Sequence, residues 1–148
     1  VFHPQQHPMD VQLARYKAAK TVVAADGSAL HLYAMVAGPD QKAAIVARRK
    51  SSAVDLLARN VEHFCRRKPE TIFAIRRTWF DKSRKRLKRL ALGELDLSVL
   101  GHRLTDAGFV EKGRGWQSLG EDEVFRQLGK TGKTYEAQAP RRKAKANA

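Results

Sequence analysis

RRKSSAVDLLARNVEHFCRRKPETIFAIRRTWFDKSRKRLKRLAL, residues 48–92, decides how this chain is read. The segment holds fifteen Lys and Arg (Arg48, Arg49, Lys50, Arg59, Arg66, Arg67, Lys68, Arg76, Arg77, Lys82, Arg84, Lys85, Arg86, Lys88 and Arg89) against four acids, Asp55, Glu62, Glu70 and Asp81. Fifteen against four leaves a surplus of eleven, and the net charge of the whole 148-residue chain is +14. Nearly all of the excess therefore sits in under a third of the residues. Val54, Leu57, Val61 and Phe64 recur every three or four positions and predict an amphipathic helix over 51–68. Ser52 and Asp55 stand at capping-box spacing at its start. Arg66, Arg67 and Lys68 fall in its last turn, where cations suit the helix dipole. Pro69 stops this helix and, as a first-turn residue, starts a second over 69–92. Ile72, Phe73, Ile75, Trp79 and Phe80 give that helix one narrow apolar side, and Gly93 ends it. Trp79 and Phe80 read as packing residues.

Outward from this segment, residues 1–10 carry two prolines and no periodicity, and read as an extended arm. His3 and His7 in it are loop histidines, since no third metal ligand accompanies them. Residues 11–20 are either a helical turn or the lead into a strand. Thr21-Val22-Val23 and residues 29–36 flank Asp26-Gly27, which predicts a hairpin with strands near 18–24 and 29–36. On the C-terminal side, Asp96 is an N-cap for a helix with the stripe Leu97, Leu100 and Leu104. Phe109-Val110 suggests a short strand, Trp116 an anchor on the core, and 121–128 a last helix. Residues 129–148 form a basic tail. The fold class expected is α+β. A β-hairpin unit (11–68) follows the arm, then a mostly helical basic extension (69–128).

The chemistry this composition supports is binding. A pI near 10.4 calls for an anionic partner, most simply nucleic acid. No apolar run is long enough to span a membrane. The single cysteine, Cys65, excludes an internal disulfide framework and a multi-cysteine zinc site. No phosphate-binding glycine loop and no His-Glu-x-x-His motif occurs. His63 and Cys65, two apart on a helix, point to different faces. The reading is a non-enzyme without cofactor, metal or small-molecule substrate.

With these elements placed, residues 1–68 resemble the bacterial-type ribosomal large-subunit protein thirty-one family. His3-Pro4 or His7-Pro8 matches its His-Pro opening, and Asp26-Gly27 its glycine turn. Asn60-Val61-Glu62-His63-Phe64-Cys65-Arg66-Arg67 matches its short basic helix, with Val61, Glu62, Phe64 and Arg66 on corresponding positions. The family's aromatic His-Pro-Phe segment and its zinc cysteines have no counterpart here, and residues 69–148 lie outside the resemblance. What it implies is a structural constituent of an organellar, mitochondrial-matrix ribosome. The large-subunit central protuberance, ribosomal RNA and neighbouring ribosomal proteins would be its setting. RNA contact is then expected at Arg48, Arg49, Lys50, Arg66, Arg67, Arg76, Arg77, Arg84, Lys85, Arg86, Lys88, Arg89, Arg141 and Arg142. One alternative is a winged helix over 96–119, with 96–107 as recognition helix and His102, Arg103 and Arg114 on DNA. A second is a protein-assembly factor whose basic helix docks on an acidic partner.

Overall fold

The computed structural model describes residues 1–49, 51–83, 90–112 and 115–138. After a 3-10 turn over Pro4–Gln6 come α1 (Met9–Ala18), β1 (Thr21–Ala25), α2 (Ala29–Val36), β2 (Lys42–Val46), α3 (Ala53–Cys65) and β3 (Glu70–Ile72). There follow β4 (Ile75–Asp81), β5 (Leu92–Leu95), α4 (Leu97–Asp106), α5 (Glu121–Gly129) and β6 (Tyr135–Ala137). The fold is mixed α+β, with two three-stranded sheets ordered β1-β2-β3 and β5-β4-β6.

The first sheet is parallel throughout. Thr21 lies opposite Lys42 and Ala25 opposite Val46, while Ala44 faces Glu70 and Val46 faces Ile72. Parallel neighbours need a crossover, and α2 and α3 supply the two crossovers. In β2 successive side chains point to opposite faces. Ala43, Ile45 and Ala47 join Leu30, Tyr33 and Ala34 of α2 and Val54, Leu57, Val61 and Cys65 of α3 in one core. Ala44 and Val46 go the other way, to Ile72, Ala74, Leu100 and Leu104. The layers are thus α2 and α3, the sheet, and α4. A strand covered on both faces needs an unbroken apolar run, and Ala43-Ala44-Ile45-Val46-Ala47 is one.

Three sequence expectations are corrected. The hairpin does not form, because 29–36 is α2. Leu30, Tyr33 and Ala34 stand at helical spacing and are buried together, a pattern that loose alternation concealed. Asp26 N–H donates to Val46 O at 2.9 Å and continues the ladder, after which Gly27 and Ser28 open α2. The arm is shorter than 1–10, since α1 begins at Met9. Finally, the first half of the helix expected over 69–92 is replaced by β3 and β4. Thr71, Ile72, Ile75, Thr78, Trp79 and Phe80 are β-branched or aromatic and favour a pleated surface. The cationic second half of that expected helix, at 84–89, lies outside the described residues.

Smaller differences follow from packing. In α3 the buried set is Val54, Leu57, Val61 and Cys65, so Phe64 turns outward and is 51% exposed. The Cys65 thiol donates to Ala34 O at 3.7 Å, and burial pushes its pKa up. Arg66 ends the helix in the left-handed region with φ 57°. Ser52 is the N-cap residue, but its side chain makes no cap bond. Asp96 caps α4 as expected, accepting from Ser98 N and Val99 N at 3.1 Å each. Phe109 and Val110 form no strand and pack on the second core instead. Trp116 lies over Gly101 of α4, where a Cβ would meet its ring. Among the described residues β5, not a helix, leads into α4, and Arg103 pairs with Glu70 at 2.7 Å.

These positions separate in urea unfolding. Leu57→Ala should cost about 2–5 kcal/mol. Phe64→Ala should stay within about 0.5 kcal/mol of the parent. Equal destabilisation by the two would contradict the orientation of α3.

Candidate nucleic-acid interface

Glu94 organises the basic hairpin. In the antiparallel β4–β5 pair, Ile75 faces Leu95 and Arg77 faces Glu94, so Arg76 is one extra residue in β4. A bulge of this kind re-aims side chains. Here it lets consecutive arginines reach one carboxylate. Arg76 Nε lies 2.9 Å from Glu94 Oε1. Arg77 donates through Nε at 2.7 Å and Nη2 at 3.2 Å, and Trp79 Nε1 donates at 2.9 Å. The Glu94 side chain is only 7% exposed. Burial pushes its pKa up, but Arg77, Trp79 and Arg76 together outweigh burial and leave it below the usual glutamate value. Arg77 also reaches Glu121 of α5 at 2.8 Å, and its guanidinium lies 5.1 Å from the Trp79 ring centroid. Trp79 in turn meets Phe125 edge-on at 5.7 Å. The clamp therefore ties β4, β5 and α5 together.

Each end of the hairpin has its own fastening. At the far end, Asp81 accepts from Ser83 Oγ at 2.6 Å and Ser83 N at 2.9 Å, and Lys133 Nζ lies 3.5 Å away. The Ser83 hydroxyl bond, helped by Lys133, holds the Asp81 pKa down. At the near end, β5 lies against the end of β2: a Cβ on Gly93 would collide with the Arg48 carbonyl oxygen. Arg48 itself folds onto buried Asp26, with Nε 2.6 Å from both Asp26 Oδ1 and Asp26 O.

The predicted contact residues divide accordingly. Arg48, Arg76 and Arg77 gather about β5, but each guanidinium is engaged by a carboxylate of this chain. Arg49 is half-buried beside them. Arg66 and Arg67 are exposed at the other end of α3, about 20 Å away along a 13-residue helix, and Arg67 Nη1 donates to Asp40 O at 3.5 Å. Lys50, Arg84, Lys85, Arg86, Lys88, Arg89, Arg141 and Arg142 lie outside the described residues. Residue counting missed Glu94 and Glu121 because both fall beyond the 48–92 segment. The signal was available only in part: Glu94 lies in the next strand, and its place opposite Arg77 is set by the β4–β5 register.

Among the described residues no group of three or more His, Cys, Asp or Glu side chains is placed to hold a metal. His7 stacks on Phe2, with centroids 5.0 Å apart. No helix among the described residues is long and apolar enough to cross a membrane. Compared with known proteins, the chain matches no family model, no curated protein and no solved structure.

Glu94→Gln should cost about 1.5–3 kcal/mol at neutral pH, because it weakens charge-assisted bonds without changing shape. Since the folded-state pKa of Glu94 is lowered, its contribution is present above the unfolded value of about 4.3 and is lost as pH falls through the folded value. Urea unfolding of both proteins at neutral and acid pH should show the gap closing in acid. A gap that is independent of pH would contradict the clamp.

Proposed function

We propose that this chain is an RNA-binding structural constituent of a ribonucleoprotein, and in the narrowest form of the proposal a constituent of the large subunit of a mitochondrial ribosome. The observation that carries the RNA reading is the charge balance. There are 29 Lys and Arg against 15 Asp and Glu, so one-to-one internal pairing would leave fourteen cations over. Asp26 already pairs with Arg48, and Glu94 with Arg76 and Arg77. By sequence the cations are densest in residues 82–91, which hold six Lys and Arg and no acid and lie between β4 and β5. Such side chains neutralise phosphates and release condensed counterions, giving salt-sensitive affinity with little sequence preference. A clamped strand pair is a firm base from which to present them.

The ribosomal setting rests on the motif at 60–67. Val61 of that motif is buried in α3, and Glu62 and Arg66 are exposed. The β unit ahead of it is parallel, so the hairpin that the family would supply lends no support. The reading assigns backbone contact to Arg66, Arg67 and the cations of 82–91, and a structural role to Arg76 and Arg77.

Fluorescence anisotropy with a structured RNA across a salt series tests the assignment. The logarithm of the affinity should fall steeply with the logarithm of salt. Changing Arg84, Lys85, Arg86 and Lys88 together to Glu should lower that slope by about three, at roughly 0.7–0.9 for each phosphate no longer neutralised. Arg66→Glu with Arg67→Glu should lower it by under two. A slope near zero for the parent, or one unmoved by the fourfold change, would overturn the assignment. For the narrower form, the chain should co-sediment with large subunits through moderate salt.

A further inference from the structure

We propose that the outer edge of β1 is a docking site for an extended, acid-flanked segment of another protein, which adds to the parallel sheet as a fourth strand. β1 is a terminal strand, since the order is β1-β2-β3. Lys42 N donates to Lys20 O and Asp26 N to Val46 O, which fixes the even-numbered residues as the ones facing β2. A parallel ladder uses alternate residues, so the N–H and C=O groups of Thr21, Val23 and Ala25 point away from β2. The same three side chains are exposed, while Val22 and Ala24 face the core. The α4 layer packs on residues of β2 and β3, not on β1.

Natural sheets guard such an edge with charge, proline or a bulge. Thr21-Val22-Val23-Ala24-Ala25 has none of these. Instead a groove of about 660 Å³ runs beside it, lined by β1 together with Phe2, Tyr16, Ala19 and Leu30. Backbone groups and apolar side chains together are what β-strand addition uses: hydrogen bonds for affinity, pockets for alternate side chains.

Charge selects the occupant. Exposed Arg15 lines the groove and exposed Lys20 stands at the start of β1, and neither has a carboxylate partner among the described residues. A second copy of this chain would bring another +14 to the same edge. Long-range repulsion disfavours it, while a segment with carboxylates beside an apolar stretch is attracted.

The probe is the peptide Glu-Glu-Val-Thr-Val-Thr-Val-Glu-Glu, compared with its counterpart bearing Lys for Glu, by isothermal titration on the full chain. The acidic peptide should bind at least tenfold more tightly. Val23→Pro deletes an outward N–H without touching the β2 ladder, as an edge strand tolerates. It should abolish binding while leaving the thermal transition within a few degrees. If Val23→Pro does not fold, Val23→Glu on the exposed face serves, and by like-charge repulsion should weaken the acidic peptide's binding at least fivefold. Absence of binding, equal binding of both peptides, or binding indifferent to the foldable variant would overturn the proposal. So would a concentration-dependent dimer of the parent that the β1 variant abolishes, because the edge would then be filled by a second copy. Salt-sensitive RNA affinity should be the same in parent and variant, which keeps this test separate from that of RNA binding.

Discussion

Burial of β2 on both faces is the constraint from which the remaining architecture follows. A five-residue strand with Ala44 and Ile45 fully removed from solvent cannot lie at an edge. It must have a strand on either side and a layer above and below. β1 and β3 fill the first requirement, in parallel because α2 and α3 are the connections. Those helices fill one layer and α4 the other. The small side chains of β2 let the layers approach closely, so methyl-scale changes there would be felt throughout. The chain leaves β3 by two residues, Phe73 and Ala74, and enters β4, which carries the second sheet beyond the carboxyl end of the first.

The second sheet solves an electrostatic problem. Adjacent arginines on a strand repel one another and are costly to bring toward a core. Glu94 accepts both, and the bulge at Arg76 supplies the geometry. Removing Glu94 from water carries a desolvation cost that only multiple donors offset. Three side chains supply them. A basic sequence can therefore use part of its charge on its own fold. Counting cations overstates a binding surface unless the acids opposite them are located first. The charge left after internal pairing is the relevant quantity, and here it stays large.

Some of this was legible in the sequence. The helical spacing of Val54, Leu57 and Val61 located α3, Asp96 marked the start of α4, and Glu121-Asp122-Glu123 the start of α5. Gly93, read as a helix stop, is in fact a point of close backbone approach to Arg48. Phe64 and Cys65 exchanged roles because a stripe of 54, 57 and 61 continues equally well at 64 or 65, and only contact with Ala34 decides it. The Asp26-Gly27 turn misled because such a pair serves a βα junction as readily as a hairpin. Apolar runs of eight residues, such as 29–36, fit either helix or strand on periodicity. At the candidate site, Arg76 and Arg77 were legible as cations, but their partner Glu94 was not. Cross-strand partners are set by register, and a one-residue bulge is invisible in a linear reading.

The proposed function requires surplus cations to engage an RNA backbone. Ultraviolet crosslinking in the source cells, followed by sequencing of RNA recovered with this chain, addresses that directly. The account predicts reads concentrated at one place in large-subunit ribosomal RNA, with crosslinked peptides from 82–91 or from the end of α3. Recovery of no RNA above a nuclease-treated control, or of duplex DNA alone, would contradict it.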